Sequence, residues 1–254
     1  MSETIRLDKF LADMSVGTRS QVKALISKGR VKLDGNIVRE PSVKLDIKTC
    51  RVEIDGKQIG YCTYEYYMLN KPSGVVSATE DKNDKTVIDL ISTKVRKDLF
   101  PVGRLDKDTE GLLIITNDGE LSHKLLSPKK HVKKTYYVET DIYIDKKMTE
   151  VLENGVDIGD DRLTMKAEVK VSNQKNKDDA LTAGEKNVSY ITIKEGRFHQ
   201  VKRMYQAVGA TVIYLKRISM GNLNLDESLK PGEYRLLTDE EIRLLKRGEK
   251  NGQI

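Results

Sequence analysis

The residues best suited to chemistry sit between two glycines, in Gly103-Arg104-Leu105-Asp106-Lys107-Asp108-Thr109-Glu110-Gly111, and run straight into Leu112-Leu113-Ile114-Ile115. An ionised carboxylate such as Asp106 can act as a nucleophile or as a base. An aspartate in an arbitrary loop more often bonds nearby backbone amides. Two features favour chemistry here: Arg104 stands beside it, and a basic block with Lys202 and Arg203 follows later in the chain. A cation placed against Asp106 would hold that carboxylate ionised even where water is excluded.

These residues need rigid supports. Leu112–Ile115 is too short for a core helix and carries adjacent isoleucines, which predicts a buried strand. Asn117-Asp118-Gly119 should end that strand and cap a helix over 120–126. Lys133 to Val138 predicts a strand that puts Tyr136 and Tyr137 on opposite faces, one in the core and the other free to stack on a base. A strand through Ile191–Lys194 reaches Gly196, and a helix follows with Phe198, Val201, Tyr205 and Val208 on its buried stripe and Lys202 and Arg203 off it. Tyr66–Asn70 predicts a strand, with a turn at Lys71-Pro72-Ser73-Gly74 and a return through Val75–Ala78. Lys71 is placed to meet a phosphate or a carboxylate, although a solvated loop lysine is the commoner outcome. Short helices are expected over 84–91 and over 145–154, the second stopped by Gly155. The polar stretch 172–187 has the composition of a flexible loop and no functional signal.

The 254 residues, 38% hydrophobic, suit one small and one larger domain. The net charge of +6 points weakly to a polyanionic partner. The sequence has neither a membrane-length apolar stretch nor a signal-peptide pattern, and its two cysteines and three histidines form no metal-ligand or disulfide pattern. A cytoplasmic protein without metal or cofactor is expected.

Residues 1–60 have the look of a separate module. They carry twelve Lys or Arg against eight Asp or Glu, so +4 of the chain's +6 lies in this part. Leu7, Phe10 and Leu11 share one helical face, Thr18 caps a second helix from Arg19 through Ser27, and Asp34-Gly35 and Asp55-Gly56 are hairpin turns. Arg19, Lys23, Lys28, Arg30 and Lys32 could track a phosphate backbone, an alternative about even with a plain solvated face. The order Arg6-Leu7-Asp8-Lys9-Phe10-Leu11, Thr18-Arg19-Ser20-Gln21-Val22-Lys23 and Gly29-Arg30-Val31-Lys32-Leu33-Asp34-Gly35 resembles the RNA-binding module named after ribosomal protein S-four. That resemblance implies a basic face for structured RNA.

A second resemblance covers nearly the whole chain, from residue 4 to about 247. Gly103–Asp106, Lys134–Tyr136 and Gly196–Met204 are similar to the three main motifs of the RsuA-type pseudouridine synthases. Lys71–Val76 resembles the opening motif of that family's catalytic domain, and Ser219–Gly221, Pro231–Arg235 and Leu237-Thr238 are similar to its C-terminal run. The resemblance implies isomerisation of a uridine in RNA to pseudouridine without metal or organic cofactor. Asp106 would be the essential carboxylate, as nucleophile or base, and Lys202 its ionic partner. Tyr136 would stack on the uracil near the proton transfer, Val201 would be an apolar wall, and Arg104 would fill the stack or grip a phosphate once the target base has left.

The fold expected is therefore α+β. A small basic RNA-binding domain (1–60) is joined by a tether (61–65) to a larger, mostly antiparallel mixed-sheet domain with a central cleft (66–247), followed by a tail (248–254). The chain is expected to act as a monomer on ribosomal RNA. The N-terminal module and the segment from Arg203 to Glu233 most resemble the small-subunit branch, so 16S rRNA in an assembling small subunit is the expected target and large-subunit rRNA the alternative. Two rivals from other classes are a non-catalytic ribosome-assembly protein, in which Asp106 would be idle, and an RNA hydrolase, for which metal ligands or paired histidines are missing.

Overall fold

A computed structural model describes residues 4–172 and 186–247. The polar stretch expected as a loop lies largely outside them, as does the tail from 248. The chain forms two compact units, one of residues 1–65 with 92–99 and the other of 66–91 with 100–254.

The first unit contains β1 (Thr4–Arg6), α1 (Leu7–Asp13), α2 (Arg19–Ser27), β2 (Val31–Leu33), β3 (Asn36–Val38), β4 (Lys44–Asp46), β5 (Val52–Ile54) and β6 (Lys57–Ile59). Thr18 caps α2 by accepting from the Gln21 amide, while Gln21 returns a bond to the Thr18 amide. Asp34-Gly35 and Asp55-Gly56 have positive φ at both positions, the geometry that joins β2 to β3 and β5 to β6 as two-residue hairpins. The strands order β3-β2-β5-β6, with β1 and β4 as a separate pair, over a core of Leu7, Phe10, Leu11, Val22, Ile26 and Val31. The segment Tyr61–Glu65, expected as a tether, is held in place. Tyr61 donates to Asp13, and the Glu65 carboxylate accepts from the amides of Val95 and Arg96. The buried Arg96 guanidinium in turn reaches Tyr61, Asp13 and Asp98.

The second unit contains β7 (Tyr66–Lys71), β8 (Phe100–Pro101), β9 (Glu110–Thr116), α3 (Gly119–Leu126), a 3-10 turn (Pro128–Lys130), β10 (Lys134–Thr140), α4 (Lys146–Asn154), β11 (Glu168–Val171), β12 (Asn187–Ile193), α5 (Gln200–Ala207), β13 (Val212–Met220), β14 (Leu223–Asn224), β15 (Tyr234–Leu236) and α6 (Asp239–Arg247). One mixed sheet runs β11-β12-β10-β13-β9-β7-β15, antiparallel throughout except where β13 lies parallel to β9. β9 is the expected buried strand, with Leu112 to Ile115 fully shielded between β7 and β13. Gly111 has φ +102°, and a Cβ there would lie 2.2 Å from the Arg217 carbonyl oxygen, so only glycine allows β9 to approach β13 at this point.

Three local expectations fail. Residues 84–91 form turns rather than a helix, because Thr86 and Asp89 exchange hydrogen bonds and Val76 bridges Thr86. That same bridge is all that remains of the return strand through Val75–Ala78. Phe198 is 72% exposed rather than buried, because His199 adopts a left-handed conformation (φ 48°) and α5 starts only at Gln200.

Candidate active site

Asp106 stands on the loop between β8 and β9, and the chain fixes that loop from several sides. The Thr109 amide bonds the Asp106 carbonyl at 3.1 Å. Ser77 Oγ donates to the Leu105 carbonyl (2.8 Å) and accepts from the Leu105 amide (3.1 Å). The Gly74 amide reaches the Lys107 carbonyl at 2.8 Å. Lys71 is the keystone: its side chain is wholly buried, and its ammonium donates to the carbonyls of Pro72, Lys107 and Thr109. Burial lowers its pKa to about 8, against the pull of Asp108, Glu110 and Asp106. With its three N–H groups engaged, Lys71 is a clamp under the Asp106 loop and is not available to an RNA phosphate. The loop therefore presents Asp106 from a pre-set frame.

Around the Asp106 carboxylate, Lys202 Nζ lies 3.7 Å from one oxygen and His199 Nε2 3.6 Å from the other. The hydrogen bonds of Lys202, however, go to Asp108, both of whose oxygens it meets at 2.6 and 2.7 Å. That bond holds the Asp108 carboxyl below its ordinary pKa. Lys202 is thus shared between two carboxylates. Asp108 and His199 were not singled out from the sequence, although Asp108 lies within the same charged stretch and His199 within the same motif as Lys202. Nothing short of the fold shows that they face one another.

The N-terminus of α5 is built to hold this geometry. Glu195, buried, accepts from the Met165 amide, from Gln200 Nε2 and from Arg197 Nε, and Arg197 also donates to the carbonyls of Arg162 and Leu163. Arg203 donates to the Phe198 and Ile158 carbonyls and pairs with Asp160. Val201 is buried in the helix. Tyr136 on β10 is 8% exposed, and its hydroxyl makes no hydrogen bond among the described residues. Its Cα partners are Ile191 and Arg217, and Arg217 is itself opposite Gly111, so Tyr136 lies two strands from the foot of the Asp106 loop, roughly 10 Å. Two more cations are buried on this part of the sheet. Arg217 donates to the Leu112 carbonyl, and Lys134, lowered to about 8 by burial and by Arg217, donates to the Val132 carbonyl. Arg104 is exposed and without a partner among the described residues. No group of three or more His, Cys, Asp or Glu among the described residues is placed to hold a metal ion.

In the first unit, Arg19, Lys23, Lys28, Arg30 and Lys32 are all exposed. Arg30 is engaged by Asp55 on the hairpin turn, whereas the other four form no ion pair among the described residues. No helix among the described residues is long and apolar enough to cross a membrane.

Residues 65–207 match the family model for RNA pseudouridylate synthase, and residues 5–49 match that for the S4 domain. The Bacillus subtilis protein named "Uncharacterized RNA pseudouridine synthase YtzG" is 47% identical over 95% of this chain and 98% of its own length. The Escherichia coli "Ribosomal small subunit pseudouridine synthase A" is 39% identical over 94% of this chain and 98% of its own. A crystal structure described as that of a pseudouridylate synthase superposes with a TM-score of 0.64 at 35% identity, covering 95% of this chain and 99% of that one.

Proposed function

The chain belongs to the RNA pseudouridine synthases, isomerases that carry here an RNA-binding S4 domain, and we propose that it converts a specific uridine of small-subunit ribosomal RNA with Asp106 as the essential carboxylate. The observation that carries the assignment of Asp106 is its placement on a clamped loop with Lys202 and His199 at 3.7 and 3.6 Å.

In this reading the N1–C1′ bond of the uridine breaks, the uracil turns, and C5 bonds to C1′ while the C5 proton is lost and N1 gains one. Asp106 acts on the nucleoside as nucleophile or as base at the ribose. Lys202, 3.7 Å away, is the ionic partner of that carboxylate. The ring of Tyr136 stacks on the uracil, its unengaged hydroxyl lies close to the proton transfer, and Val201 supports the pocket. Arg104, exposed on the same loop, takes the space the target base leaves in the RNA stack or grips a phosphate. The exposed cations of α2 hold the surrounding rRNA in the cytoplasm, where subunits assemble.

The small-subunit target is supported by the name of the E. coli relative, which spans almost the full chain. The test is a pseudouridine map of both ribosomal RNAs from cells with and without this protein. Loss of one small-subunit site is expected. Loss confined to large-subunit rRNA would overturn the target, and an unchanged map would overturn ribosomal RNA as substrate.

A further inference from the structure

A cavity of about 640 Å³ opens in the second unit away from Asp106, and cations arrive at it from several elements. Lys124 comes from α3, Lys129 and Lys130 from the 3-10 turn, Lys133 from the entry to β10, Lys194 from the exit of β12 and Arg247 from the end of α6. His131, whose left-handed backbone closes the turn, joins them, and among the described residues no Asp or Glu lines the space. Lys133 is answered by Glu168 at 3.0 Å. Lys129, Lys130, Lys194 and Arg247 form no ion pair among the described residues. Glu168, beside Lys133 and Lys194, offsets only part of this charge, and like charges so gathered repel one another, a cost that a polyanion would relieve.

The sheet relates this cavity to the site. Lys133 precedes β10 and lies three residues before Tyr136, roughly 10 Å along the chain. RNA whose target uridine lies at Asp106 and Tyr136 must continue past them. We propose that this cavity seats the RNA backbone flanking the target uridine, with Lys129, Lys130 and Lys194 contacting successive phosphodiesters. The proposal rests on the placement of the target uridine beside Asp106.

In the full chain, Lys129, Lys130 and Lys194 are changed together to Gln, with Lys82, Lys146 and Lys147 to Gln as an equal change of charge elsewhere. Affinity for an rRNA fragment is measured against salt, alongside single-turnover conversion. The cavity variant should lose about two units of the log–log salt slope and about tenfold in affinity, while conversion at saturating RNA matches the parent. The control triple should keep the parental slope. Equal slopes in the two triples would overturn the proposal. So would a variant that keeps its affinity for naked RNA and loses binding only to assembling subunits, since the cavity would then take an acidic protein. Should the triple fail to fold, lysine acylation of the unsubstituted protein decides: bound RNA should shield Lys129 and Lys130 but not Lys82, and undiminished reactivity would sink the idea. Conversion by the parent and its loss in Asp106→Asn report on the uridine's placement separately, whatever the cavity does.

Discussion

On α2, the turn after it and β2, Arg19, Lys23, Lys28 and Lys32 stand in solvent without ion pairs among the described residues, whereas around Asp106 the nearest cations are already committed. Lys202 is bonded to Asp108, and Lys71 is sealed under the loop by three carbonyls. An open array of cations acts additively, each contributing one phosphate's worth of attraction. A bonded network does not, because removing one member leaves others unsatisfied. The first region should therefore respond to substitution in small equal steps and the second in large unequal ones.

The sharpest test is Asp106→Asn, which keeps the side chain's volume and removes its charge. Single-turnover conversion of an rRNA fragment should fall by about 10⁴-fold or more, while affinity is kept or rises because a negative charge near phosphates has gone. Conversion at the parental rate would place the catalytic centre elsewhere.

Next comes the shared lysine. Lys202→Met should cost about 10–100-fold in conversion, the equivalent of one charge-assisted hydrogen bond. Asp108→Asn should cost far less, or raise the rate, because it releases Lys202 to Asp106. Equal losses in the two variants would show that Asp108 is as necessary as the lysine and would break the idea of a shared cation.

Lys71→Met tests the clamp through stability. One buried and two part-buried carbonyls lose their donor, which should destabilise the second unit by about 1–3 kcal/mol in denaturant unfolding. The pH dependence has a definite sign. With the folded-state pKa lowered from 10.5 to about 8, the unfolded chain binds more protons within that window, so this residue's contribution to stability rises with pH there. The parent should gain on Lys71→Met between about pH 8 and about pH 10 in thermal melts. A constant difference would mean that Lys71 titrates normally.

The smallest effects belong to the open array. Arg19→Gln and Lys23→Gln should each flatten the salt slope of RNA affinity by about 0.7–0.9 and leave conversion at saturating RNA unchanged. Arg30→Gln should change it less, since Asp55 already holds that side chain. A steep loss from Arg30 alone would contradict the additive picture.

The same contrast explains what could be read from the chain. Features set by near neighbours were legible: β9 from its apolar run, the Asp118 cap of α3, the Thr18 box of α2 and both Asp-Gly hairpins. Features set by distant partners were not. Lys71 resembles any lysine before a proline until β9 and its loop are folded over it. Asp108 gives no hint that it, rather than Asp106, takes the hydrogen bonds of a lysine 94 residues on. Phe198 fits a helical stripe by spacing, but the left-handed His199 delays the helix and turns that ring into solvent.

The excursion 92–99 has a consequence for descent. A domain joined at one point can be gained or lost by a single cut in a gene. Here the chain returns to the first unit after the second has begun, and Arg96 carries its buried guanidinium to Asp13 and Tyr61. A truncation at residue 60 would remove Asp13 and the core against which Tyr61 packs, leaving that buried arginine only part of its partners, so an ancestor that shed its RNA-binding module should have remodelled 92–99 in the same lineage. Relatives lacking the module should accordingly carry a different segment here, short of the arginine.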